Sequence, residues 1–173
     1  TSFHRQHGLK NAIWYFSPFD DERGSHRFNP LARIAALPSA ERQYTALNSM
    51  ADLFLIPEGE SAQSFFNAGK RLFIGSCLYA IEKRRPTLGY AGELMAGGGD
   101  KKKTYTTIAE DTQIPIVSRT FLEMADVPEK TLGAYVSVIQ GSGLELWNDP
   151  AVDRVTSASD FDFSTFRAKP QSL

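Results

Sequence analysis

The chain has 173 residues, 42% hydrophobic and 23% charged, with a formal net charge of -1. That is long enough for one domain with its own apolar core. Such a charge balance argues against a dedicated nucleic-acid binder, which is basic as a whole, while leaving room for a local basic patch. The single cysteine, Cys77, excludes an internal disulfide; inside an apolar run it reads as a small buried hydrophobe in a reduced, cytosolic setting.

In chain order, the first element is Ala12-Ile13-Trp14-Tyr15-Phe16, closed by Ser17-Pro18. A short apolar and aromatic run ending at proline predicts a strand. It is apolar on both faces, which suits the inside of a sheet covered on both sides. No second run of this type follows, so the strand is an orphan: either its partners lie outside these residues, the favoured reading, or it is an edge-like, frayed strand.

From Asn29 onward the period is helical. Pro30 opens a short turn through Ile34. Ser39 reads as the N-cap of an amphipathic helix to about Ile56, striped by Tyr44, Leu47, Ala51, Phe54 and Leu55 and broken by Pro57-Glu58-Gly59-Glu60. Ser61 caps the next helix, to about Arg84. Phe66, Gly69, Phe73, Cys77 and Ala80 share one face of it, widened by Phe65, Leu72 and Ile81, so this helix is expected to be buried and central. Its near-apolar run, Leu72 to Ile81, falls far short of the roughly 20 residues of a membrane span.

A short helix follows from Pro86-Thr87 to about Met95, then a flexible break at Gly97-Gly98-Gly99. Helices over about Lys102 to Asp111 and Pro115 to Ala125 come next. Pro128 opens the longest late helix, to about Trp147, with Leu132, Tyr135, Val136, Ile139, Leu144 and Trp147 as its stripe. Gly141-Ser142-Gly143 lies inside it, where each glycine costs about 1 kcal/mol relative to alanine and permits a kink or a close crossing. Asp149-Pro150 starts a last short helix through Val155. Ser159-Asp160-Phe161-Asp162-Phe163 alternates polar and apolar, and the tail turns basic at Arg167 to Lys169. The fold class is mainly α: a multi-helix bundle with a short orphan β segment near the N-terminus.

No catalytic motif emerges. Gly97-Gly98-Gly99-Asp100-Lys101-Lys102-Lys103-Thr104 has Lys102 where a Walker A loop needs the glycine before its Lys-Ser/Thr pair, and no strand precedes it. His4 and His7 have i, i+3 spacing, but with His26 the only further histidine they fall short of a three- or four-ligand metal site. No Gly-x-Ser-x-Gly elbow occurs. No cofactor and no metal are expected within the chain.

Charge is segregated along the sequence. Residues 66–103 hold eight Lys/Arg against three Asp/Glu, whereas residues 104–165 hold three against ten. Lys83-Arg84-Arg85 and Lys101-Lys102-Lys103 are candidate phosphate contacts for passing DNA. Glu110, Asp111, Glu123, Asp126 and Glu129 are candidate docking residues for a positively charged partner. A plain solvated surface is the competing reading of each cluster.

Three stretches resemble one family. The first is a threonine start, a short helix ending at Gly8, Ile13-Trp14-Tyr15-Phe16, Ser17-Pro18, then Ser25-His26-Arg27-Phe28-Asn29-Pro30-Leu31. The second is Ala51-Asp52-Leu53 with Phe65-Phe66 and Ala68 to Tyr79, followed by Thr87-Leu88-Gly89 and Glu93-Leu94. The third is Asp149-Pro150-Ala151-Val152, Thr156-Ser157 and Ser159 to Phe163. In order and spacing these are similar to the coupling proteins of type IV secretion and conjugation, of the TraG/TraD kind. Arg27 to Leu31 is the most specific piece; Phe65-Phe66 stands where the family usually has Phe-Trp.

The resemblance implies a parent protein with a membrane anchor and a hexameric RecA-like ATPase, into which a helical domain is inserted between Walker A and Walker B. Residues 1–28 would then flank the insertion, 29–158 form the all-helical domain, and 159–173 return toward the parent sheet. None of the family's nucleotide-contacting residues maps onto this chain, so it is expected not to be an enzyme; ATP and Mg²⁺ belong to the parent. The implied role is that of a receptor on the cytoplasmic side of a bacterial inner membrane. Its implied partners are relaxase–DNA complexes or effector proteins, in some cases an adaptor, and, as the alternative, DNA itself. The isolated domain is expected to be monomeric.

Overall fold

The computed structural model describes residues 12–20, 24–57, 60–166 and 171–172, the side chains of 60–62 and 172 excepted. The helix expected to end at Gly8, the pair His4 and His7, Glu58-Gly59 of the expected break and the basic tail Arg167 to Lys169 lie outside the described residues. Eight α-helices fill most of the rest: α1 (Ala32–Ala35), α2 (Ala40–Phe54), α3 (Glu60–Glu82), α4 (Leu88–Ala96), α5 (Lys101–Asp111), α6 (Pro115–Ala125), α7 (Glu129–Gly141) and α8 (Pro150–Thr156). Short 3-10 turns cover Leu144–Asn148 and Phe163–Thr165. The mainly α reading holds.

Helix starts follow local chemistry. The Ser39 hydroxyl accepts the Arg42 N–H at 3.4 Å, Thr87 that of Tyr90 at 3.2 Å, and Asp100 that of Lys103 at 3.0 Å. Each satisfies one of the donors a first helical turn leaves open. Pro115 and Pro150 occupy first-turn positions, where no N–H is missed. Gly97, at φ 69°, ends α4 in the left-handed conformation that favours glycine. α3 begins at Glu60, so Ser61 lies inside the helix rather than capping it.

α3 is the axis of the bundle, packed by α2, α4, α6 and α7. Residues 72–80 are all buried, with Leu72, Phe73, Cys77, Leu78 and Ala80 fully enclosed. Small residues let its neighbours approach. A Cβ at Gly69 would stand 2.6 Å from the Tyr135 carbonyl oxygen, so α7 crosses α3 almost backbone to backbone. At Gly75 it would stand 3.3 Å from Thr120 Cγ2 on α6. Tyr105 and Phe121 pack edge to face at 5.2 Å between α5 and α6, and the Tyr105 hydroxyl donates to the Met95 carbonyl.

The late helix departs from expectation. α7 stops at Gly141, and Leu144–Asn148 forms a separate 3-10 turn instead of continuing to Trp147. Gly143 adopts φ 142°, and a Cβ there would lie 2.9 Å from the Phe54 carbonyl oxygen. The chain breaks helix at this point to pass over the end of α2, where the Ile56 N–H donates to the Ser142 carbonyl at 3.0 Å. Leu144 is still buried, and Trp147 is anchored through Nε1 to Thr156 Oγ1 at 2.9 Å.

The N-terminal strand is shorter than the apolar run and has a partner. β1 (Ala12–Ile13) pairs in parallel with β2 (Gln171–Ser172), Ala12 opposite Gln171 and Ile13 opposite Ser172. Trp14 Nε1 donates to Gln171 Oε1 at 2.8 Å beside this pairing. Two polar residues carry no strand period, which is why β2 is silent in the sequence. Parallel neighbours require a long crossover; here the helical body is that crossover.

Candidate partner-binding surfaces

The segment Arg27-Phe28-Asn29 closes the base of the bundle against the chain leaving α8. The Arg27 N–H donates to Asp160 Oδ2 at 2.8 Å, and its guanidinium meets Oδ1 at 2.7 Å. Arg27 holds the Asp160 carboxyl below the ordinary carboxylate range, chiefly through that hydrogen bond. The Phe28 N–H donates to the Val155 carbonyl and the Asp160 N–H to the Arg27 carbonyl, both at 2.9 Å. Asn29 is buried and uses all its polar groups. Its N–H donates to Ser159 Oγ at 3.0 Å, its Nδ2 to the Pro86 carbonyl at 2.7 Å, and its Oδ1 accepts the Leu31 N–H at 2.8 Å. Phe28, Phe161 and Trp14 stack in sequence at 5.6 and 5.5 Å. These residues tie together β1, the α3–α4 turn and the segment after α8.

The charged candidates are distributed differently in space than along the chain. Asp111 is ion-paired with Lys83 at 2.5 Å and accepts the Tyr79 hydroxyl at 2.6 Å. The Lys83 bond, then the Tyr79 bond, hold its carboxyl below the usual range. Glu123 pairs with Arg71 at 2.9 Å and Asp126 with Lys102 at 3.8 Å. Glu110 and Glu129 are exposed and have no ion pair among the described residues.

Of the basic candidates, Arg85 lies over the Tyr90 ring at 3.8 Å, while Arg84 is exposed at φ 58°. Lys101, Lys102 and Lys103 form the first turn of α5, and Lys103 is exposed. A cleft of about 530 Å³ brings Lys101 and Lys102 together with Asp100, Asp126 and Glu129 over Leu132. The acidic and basic sets therefore interleave. Glu82, which the sequence does not single out, accepts from Thr112 Oγ1 and from the Gln113 N–H, both at 2.6 Å, and locks the end of α3 to the α5–α6 turn. It sits in a solvated stretch by pattern, and only the fold gives it these partners.

A second concavity, of about 380 Å³, lies over the α7–α8 connection. Phe19, Leu146 and Val152 line it together with Glu145 and Asp149. Phe19 and Leu146 are 68% and 63% exposed. Cys77, by contrast, is fully enclosed in α3, and burial pushes its thiol far above the ordinary range, so it offers no thiolate. Among the described residues, no group of three or more His, Cys, Asp or Glu could hold a metal ion, and no helix is long and apolar enough to cross a membrane.

A family model described as type IV secretory system conjugative DNA transfer matches residues 1–173. The chain is 38% identical over 159 residues to Protein VirD4 of Agrobacterium fabrum (strain C58 / ATCC 33970), covering 92% of this chain and 24% of that one. It is 37% identical over 159 residues to Protein VirD4 of Rhizobium radiobacter, covering 92% and 23%. It is 27% identical over 173 residues to the conjugal transfer protein TraG of Escherichia coli, covering 93% and 27%. The chain thus spans about a quarter of the length of these curated relatives. No solved structure gives a significant match. With the family model matching along its whole length, the chain belongs to the type IV secretory system conjugative DNA transfer family, the coupling proteins of type IV secretion.

Proposed function

We propose that this helical body is the substrate-receptor part of a coupling protein, the surface that captures relaxase–DNA complexes or effector proteins, in some cases through an adaptor, for delivery to the translocation channel. In this reading the body performs no catalysis. ATP and Mg²⁺ are used by a RecA-like ATPase of the parent, hexameric and anchored at the bacterial inner membrane. The body is inserted in that ATPase, faces the cytoplasm and is monomeric by itself. Parallel pairing of β1 with β2 supports the insertion, because it brings the two ends of the helical body to neighbouring strands.

The observation that carries the receptor reading over DNA contact is the interleaving of charge. Lys83 is engaged by Asp111, Lys102 by Asp126 and Arg71 by Glu123. Phosphates approaching Lys83 or Lys102 would meet a carboxylate beside each, whereas DNA-binding grooves concentrate cations. The second reading, a DNA-contacting module, rests on Arg84 and Lys103, both exposed and without an ion pair among the described residues.

Fluorescence anisotropy separates the two. The chain is titrated against a labelled relaxase and against single- and double-stranded oligonucleotides at two salt concentrations. Saturable relaxase binding with inert DNA is expected. DNA binding that weakens steeply with salt and disappears when Lys101, Lys102 and Lys103 are changed to glutamine, with no affinity for relaxase, would overturn the receptor reading.

A further inference from the structure

We infer that the concavity over the α7–α8 connection is a docking groove for a basic peptide segment that presents one or two large apolar side chains between Lys or Arg residues. This deepens the receptor reading and rests on it.

The floor is apolar and uncovered. Phe19 and Leu146, both largely exposed, line it with Val152. Gly141 and Gly143 form another part of the wall, and the Ser142 carbonyl between them accepts the Ile56 N–H, which places Ile56, itself 67% exposed, at the same margin. Single exposed apolar residues are ordinary; several around one concavity mark a contact site.

The rim supplies the sign of the partner's charge. Glu145 and Asp149 line the groove, and among the described residues no Lys or Arg does. Several exposed carboxylates elsewhere are met by cations: Asp111 by Lys83, Glu123 by Arg71, Asp126 by Lys102 and Asp160 by Arg27. Glu145 and Asp149 have no such partner among the described residues. Asp149 is held in place, because its carboxylate also caps α8 by accepting the Ala151 N–H at 2.8 Å. Two unneutralised carboxylates, one of them positioned, beside an apolar floor complement a segment that is cationic and apolar at once, and repel phosphates. This inference places the docking carboxylates at Glu145 and Asp149 rather than at Glu123 and Asp126, each of which has a cation beside it.

The test uses the whole chain and two probes. One is a fluorescein-labelled peptide of about ten residues with two leucines flanked by arginines; the other is a labelled relaxase. Glu145→Gln with Asp149→Asn removes both charges while asparagine retains the cap, and Leu146→Ser removes an exposed apolar group without touching the core. The double variant is expected to weaken peptide and relaxase binding about tenfold at low salt, the difference shrinking at high salt; Leu146→Ser is expected to weaken both to a similar degree at either salt. Unchanged melting temperatures verify that the variants fold. Relaxase binding that stays within about twofold of wild type in both variants overturns the groove and leaves the receptor reading standing. Peptide binding lost in the variants, with no relaxase binding by the wild type, overturns the receptor reading and leaves the groove as a basic-peptide site. Oligonucleotide binding that Leu146→Ser abolishes overturns the assignment of the partner as a basic peptide.

Discussion

Substituting alanine for Gly69 and, separately, for Gly133 puts the packing of α3 against α7 to a test in which the same chemical change has opposite consequences. In a helix interior, glycine to alanine is worth about 1 kcal/mol of added stability through backbone entropy. Gly133, in α7, has nothing within 4 Å of the position a Cβ would take, so that gain should appear nearly whole. At Gly69 the new Cβ would stand 2.6 Å from the Tyr135 carbonyl oxygen and 2.7 Å from Ile139 Cγ1. A backbone oxygen cannot rotate away, so α7 itself must shift. Overpacking of this kind costs about 1–3 kcal/mol, and a backbone obstacle belongs at the upper end. Subtracting the helix-propensity gain leaves Gly69→Ala about 2 kcal/mol less stable than wild type. For a chain of this size 1 kcal/mol moves the midpoint by about 2–4 °C. Thermal and urea unfolding followed by far-UV circular dichroism should therefore place Gly69→Ala about 4–8 °C below wild type and Gly133→Ala about 2–4 °C above it. If Gly69→Ala were as stable as wild type, the close crossing of α3 and α7 would be refuted.

Asn29→Ala removes two side-chain hydrogen bonds at the base and leaves the Pro86 carbonyl and Leu31 N–H without their side-chain partner; a loss of about 3 kcal/mol is expected in urea unfolding. Gly143→Ala combines a left-handed backbone at φ 142° with a Cβ 2.9 Å from the Phe54 carbonyl oxygen; it should destabilise by about 2 kcal/mol in the same assay. The carboxyls of Asp111 and Asp160 are held below their unfolded range by Lys83 and Arg27. Their stabilisation is therefore complete above the unfolded carboxylate pKa of about 3.9 and is lost as pH falls through the folded values. Melting temperature against pH should drop below about pH 4, and Asp111→Asn should make that drop shallower; an unchanged acid limb would refute the Lys83–Asp111 contribution.

Much of the helical body is legible in the residues themselves. Ser39, Thr87 and Asp149 mark helix starts because a side-chain oxygen beside a first turn has one strong use. Pro115 and Ala125 bound α6 as read, and the broad apolar face from Phe66 to Ala80 identifies α3 as central, with residues 72–80 buried on every side. The family is legible for a different reason: Arg27 to Leu31 and the Asp149 to Phe163 stretch keep their order and spacing, although their physical task, closing the base, is invisible until Arg27 is seen on Asp160 and Asn29 on Pro86.

What the tertiary structure alone decided involves residues far apart in the chain. Ala12 pairs with Gln171, a contact that no local period encodes because β2 is two residues long. α7 stops at Gly141 although its apolar stripe continues to Trp147, and Gly143 passes so close to the end of α2 that a Cβ there would stand 2.9 Å from the Phe54 carbonyl oxygen. Charge segregated along the sequence becomes interleaved on the surface, since Lys83, just past the end of α3, and Arg71 of α3 reach Asp111 of α5 and Glu123 of α6. A sequence fixes which residues carry charge and which helix face is apolar, since those are local properties. Which carboxylates keep their charge uncompensated, and which apolar side chains stay uncovered beside them, depends on how the helices are brought together.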